Sequence, residues 1–200
     1  QGSALVVSNH LNITDGIFYS ASDYHDVTIA SGSTLQLTGD ITVSGNWTNN
    51  GTFQSGNHTV TFDGSTAQSI SGSDSTFFGN LTINNSSNEV ILNSVIAVLG
   101  TLNFNQGVIN INSQSLHFAD GSTFTGASDF SHAYNGPLLR FFNPPGNFTS
   151  QTGFFPYPVG DGINHRPINL YVAGININVV SVAYLFANQN QSSLNSSLSS

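Results

Sequence analysis

The sequence contains no cysteine, no methionine and no lysine. Without cysteine there is neither a disulfide framework nor a thiolate metal site. Apart from histidine, Arg140 and Arg166 are the only basic residues, set against ten acidic ones for a formal net charge of −8. No basic patch can hold phosphates, so nucleic acid and anionic membrane surfaces are disfavoured as partners. Long apolar runs are also missing. Nothing comes near the roughly 20 residues that span a bilayer, so membrane insertion is not expected. No basic segment followed by an apolar run opens the chain, which therefore reads as soluble and already processed.

What remains is 38% hydrophobic and 11% aromatic, sufficient for a buried core. Polarity comes from Asn, Ser, Thr and Gly, which favour turns and exposed strand faces over helix interiors. From Ser33 onward short alternating runs recur: Leu35/Leu37, Ile41/Val43, Val60/Phe62, Leu81/Ile83, Val90/Leu92, Ile96/Val98, Leu102/Phe104 and Leu116/Phe118. Each closes on small polar residues such as Gly64-Ser65 or Asn84-Asn85-Ser86-Ser87-Asn88. Period two predicts half-buried strands. Gly45 aligns with Gly100 and Trp47 with Leu102 at an offset of 55, Gly51 with Gly107 and Phe62 with Phe118 at 56. Such self-similarity signals stacked coils, each burying its apolar face against its neighbours. The expected fold is all-β: a β-solenoid over residues 33–126 behind an N-terminal β segment, 1–32. A β-sandwich would show the same alternation and stays open as the alternative.

After Gly126 aromatic and proline density rises. Residues 127–187 read as a Pro- and aromatic-rich β cap, loop-rich because proline interrupts ladders, with a hairpin of Ile168–Val172 and Ile175–Phe186 turning at Ala173-Gly174. Residues 188–200 contain only Gln, Asn, Ser and Leu and read as a polar tail or linker.

The runs Val43 to Phe53, Gly56 to Phe62 and Leu81 to Ser86 resemble repeats of large secreted surface proteins of gliding and biofilm-forming bacteria, many exported by the type IX secretion system. Tyr134 to Leu138, Phe155 to Gly162 and Arg166-Pro167 resemble the module that closes such repeats, although Tyr157-Pro158 replaces a shorter Phe-Pro-Val step. The resemblance spans roughly Gly32 to Val172. It implies a cell-surface location and an adhesive or architectural role. The repeat, the low charge and the lack of a site point to a stalk or filament subunit assembling by strand addition, with sister subunits or surface glycans as partners. It implies no catalytic residue.

Candidate chemistry is sparse. Asp15, Asp63, Asp120 and Asp161 each precede glycine, the pattern of tight turns. Calcium would take about six to eight oxygen ligands, and Asp161 in its Gly-rich loop is the one place suggested for it. No other cofactor is expected. Asp161 and Arg166 are expected to form a structural ion pair. His10, His25, His58, His117, His132 and His165 show no paired metal-binding spacing, so no metal site is predicted. Tyr134, Phe142 and Tyr157 are the candidate platforms for a carbohydrate-binding module, the first alternative function; Trp47 reads as core. A polysaccharide-cleaving β-helix enzyme, the second alternative, would need paired carboxylates. The ten acids are dispersed, and no enzyme is expected. Thr59-Val60-Thr61 and Thr123-Phe124-Thr125 face outward but do not mark every strand, so a flat threonine face of the ice-binding kind is not predicted.

Overall fold

The computed structural model describes residues 4–7, 10–141, 151–161, 163–175 and 179–183. Among them there is no helix, and parallel strands stack into a β-solenoid of about six turns. The chain opens with β1 (Ala4–Val7). The first coil carries β2 (His10–Ile13) and β3 (Ile17–Ser20), and the second β4 (Val27–Ile29), β5 (Thr34–Leu37) and β6 (Ile41–Val43). The third comprises β7 (Trp47–Asn49), β8 (Thr52–Gln54) and β9 (Thr59–Phe62). The fourth has β10 (Gln68–Ser71), β11 (Thr76–Phe78) and the start of β12 (Asn80–Leu92). The end of β12, β13 (Ile96–Val98) and the start of β14 (Thr101–Asn110) make the fifth. The end of β14, β15 (Leu116–Phe118) and β16 (Thr123–Thr125) make the sixth.

Three ladders run through these coils. The first is β2, β4, β7, β10 and the ends of β12 and β14. The second is β6, β9, the starts of β12 and β14, and β16. The third is β3, β5 and β8, then, after a break, β11, β13 and β15. The predicted alternation holds: Leu11, Val27, Trp47 and Ile70 follow one another inward on the first ladder and are fully buried. Val60, Leu81 and Leu102 do the same on the second, and Phe78, Val98 and Phe118 on the third. Each such side chain contributes roughly 1.5–3 kcal/mol. The sandwich alternative is excluded because these pairings are parallel between successive coils.

Polar side chains at the corners join coil to coil. Asp23 accepts the N–H of Thr42, Asp40 that of Thr59, Asn50 that of Ser73 and Asn80 that of Thr101. Inside, Gln68 donates to the carbonyls of Val43 and Gly45 and accepts from Gly64 N–H and the Asn85 amide. A buried amide is tolerable only when satisfied in this way.

Several boundaries differ from the sequence reading. The stacking begins at β2, not at Ser33. One coil is far shorter than 55 residues: Leu11 pairs with Val27, sixteen on, and Ile109 with Ala133, twenty-four on. Trp47 and Leu102, aligned by the 55-residue offset, lie in different ladders, as do Phe62 and Phe118. The polar stretch 84–88 is part of β12, where pairing to β14 slips at Asn84 and again before Glu89.

Beyond Gly126 the solenoid continues. β17 (Ala133–Tyr134) and β18 (Pro137–Phe141) extend the first and third ladders in parallel. β19 (Gln151–Tyr157) then pairs antiparallel with β20 (Ile168–Ile175), and β21 (Val179–Ala183) covers β18. Ala173 and Gly174 therefore lie within β20 and do not turn a hairpin. β20 has β19 as its partner, and the 157–160 segment returns to the first ladder, where Val159 bridges Ala133. The tail 188–200 lies outside the described residues.

Candidate functional site

The candidate site lies where the pairing of β12 with β14 slips. There the two strands, with the turn 128–131, frame a groove of about 720 Å³ lined by Asn85, Ser86, Glu89, Asn105, Gln106, Gly107, Val108, Ser128, Phe130, Ser131 and Tyr134. The turn is closed by mutual backbone hydrogen bonds between Ser128 and Ser131. It lifts Phe130 to the rim, where the side chain is 85% exposed. Tyr134 enters as the outward residue of β17, and its hydroxyl donates a short hydrogen bond to Glu89 Oε2. Burial, then the hydrogen bond and the negative charge of Glu89, push the phenol far above its ordinary value, so it stays a donor. Asn85 closes the floor, its amide held by Thr66 O and Gln68 Oε1.

The groove thus offers two aromatic rings, amides and hydroxyls, and one carboxylate already tied to a phenol. Cleavage of a glycosidic bond by acid and base takes two carboxylates, and Glu89 is the single acid among the lining residues. Neutral hydroxyl-rich ligands match such walls, since rings stack on apolar sugar faces and amides both donate and accept.

Of the three proposed platforms, Tyr134 is in the groove and Phe142 lies outside the described residues. Tyr157 is not a surface platform. It is completely buried, because Pro158 and Gly160 bond to Ala133 as a further rung and turn the ring inward beneath Arg140. Trp47 is buried, as expected. Asp161 and Arg166 do meet, Nε to Oδ2 at 3.4 Å, at the surface. Arg140, by contrast, is buried, with its guanidinium 5.1 Å from the centre of the Phe118 ring and donating to Ser122 O.

Glu89, Phe130, Asn105 and Gln106 escape the sequence reading. The two-residue apolar period breaks at Asn105-Gln106-Gly107, the one local signal available. Outside the groove, one group among the described residues could hold a metal ion: His10, His25 and Asp26, on the first two coils. The class defined by the fold is a β-solenoid with a lateral polar groove. No family model, curated protein or solved structure matches the chain.

Proposed function

We propose that the chain is an adhesive module of a cell surface, in which a rigid solenoid carries a groove for neutral glycans. The observation that supports this reading is the groove itself, with Tyr134 locked to Glu89 on one wall and Phe130 displayed at its rim. Scarce positive charge agrees with an uncharged partner, because an acidic polysaccharide would call for arginine or lysine. A single lining carboxylate favours holding a sugar over cutting it.

Binding of neutral oligosaccharides to the intact chain, measured by glycan array and calorimetry, tests it. Tyr134→Ala and Phe130→Ala are each expected to weaken binding by about 0.5–1.5 kcal/mol, roughly two- to twelvefold, the scale of one lost aromatic stacking contact. Unaltered binding in both variants, or none by the parent chain, overturns the reading.

The competing reading is a purely architectural subunit that joins its copies by strand addition. Two ladder ends are covered, β2 by antiparallel β1 and β18 by antiparallel β21, whereas among the described residues β3 and β16 have open edges. Filaments in electron micrographs of glycan-free protein would favour this reading.

A further inference from the structure

We propose that His10, His25 and Asp26 form a binding site for a divalent transition-metal ion, zinc in the first instance, which clips the first coil to the second. His10 belongs to β2, while His25 and Asp26 lead into β4, the next rung of the same ladder. Fifteen residues separate the histidines in sequence, and one turn of the solenoid brings them together. Their ring centres are 5.0 Å apart, edge to face. His10 Nδ1 is 2.6 Å from Asp26 Oδ2. One ligand atom from each of the three residues lies within 4.8 Å of the others. Bonds of about 2.0–2.2 Å in a tetrahedral site place ligand atoms roughly 3.4 Å apart, so a shift of about 1 Å completes the set.

The surroundings hold these groups in place. His25 Nδ1 is hydrogen-bonded to Ser44 Oγ at 3.0 Å, which sets the ring's rotation. Asp26 Oδ1 accepts the N–H of Asn46 on the third coil, leaving Oδ2 to face His10. Gly45 is required here: a side chain at this position would collide with the Asp26 carboxylate and the His25 carbonyl. An imidazole and a carboxylate each oriented by a hydrogen-bonded partner, as His25 and Asp26 are here, are the usual construction of a metal site. Two nitrogens and one carboxylate oxygen suit zinc, nickel or cobalt, whereas calcium takes oxygen. Water would fill the remaining position.

The expected effect is structural. An end coil packs on one neighbouring coil only, and among the described residues β3 is the open edge of its sheet, so a bond between the first two coils falls where stacking is weakest. Calorimetric titration of the chelator-treated full chain with zinc chloride is expected to show one site and a rise in the thermal midpoint. His25→Ala and Asp26→Asn are each expected to weaken binding by more than about tenfold, a loss seen even for groups that support a metal ligand indirectly. His58→Ala, which removes a histidine near a single acid, Asp40, leaves binding unchanged. Metal-free circular dichroism shows that each variant is folded; should Asp26→Asn not fold, His25→Gln takes its place. Equal zinc binding by a His10→Ala/His25→Ala double variant, or no heat and no midpoint shift in the parent, overturns the proposal.

Discussion

At the scale of single residues, the Asp161 turn shows how much a carboxylate gains from local backbone. Its Oδ1 accepts the N–H of Asn164 at 2.7 Å and of Ile163 at 3.0 Å. These bonds, with smaller help from the Asn164 side chain and Arg166, hold its pKa at about 2, below the ordinary 3.8. A depressed folded value means that the turn's stabilisation is present above the unfolded pKa and fades as pH falls towards 2. An NMR titration should therefore show the Asp161 carboxyl protonating near pH 2, with the Ile163 and Asn164 amides shifting at the same point. Asp161→Asn should abolish that transition. A midpoint near 4 would mean that the hydrogen bonds are not formed in solution. The pairing of Asp161 with Arg166 is legible in the sequence because the two are five residues apart. That of Arg140 with Phe118 is not, since the guanidinium stacks on a ring that only the register Phe118 to Arg140 places below it.

At the scale of strands, the third ladder is interrupted between β8 and β11, and aromatic side chains take over where backbone pairing stops. Trp47, Phe53, Phe62 and Phe78 meet there, with ring centres 4.7 Å apart for Trp47–Phe53, 5.7 Å for Phe53–Phe78 and 6.1 Å for Phe62–Phe78. Phe78 touches the other three rings and is fully buried. Phe78→Ala is expected to cost about 3–5 kcal/mol in denaturant unfolding, the range for a large ring removed from a packed core. A loss under about 1 kcal/mol would show that the two halves of the ladder hold without the cluster. Strands were readable from period two, but their stacking was not. Coils of unequal length hide the fact that Thr42, Thr61 and Thr82 lie in consecutive register, with Asn103 and Thr125 following. The spaced pairs Thr59/Thr61 and Thr123/Thr125 therefore understate how regular that outer face is.

For the molecule as a whole, a stack of coils has nearest-neighbour contacts and little else, so local stability should be greatest in the middle and fall towards the ends. Hydrogen exchange is expected to protect amides of β7, β9, β12 and β14 most strongly and those of β1 and β21 least. The single tryptophan, Trp47, is buried in the third coil and reports on that central region by its fluorescence. Uniform protection along the chain would indicate one cooperative unit and contradict the nearest-neighbour picture.

Composition and period two were enough, by themselves, to determine an all-β chain with inward leucines, isoleucines, valines and phenylalanines, because alternation across a strand is a local property of the backbone. Coil length, the buried place of Tyr157, the groove around Tyr134 and Glu89, and the meeting of His10 with His25 and Asp26 were decided only by the tertiary structure. Each depends on which residue of one coil lies over which residue of the next. That register is set by loops of unequal length whose sum the local pattern does not record.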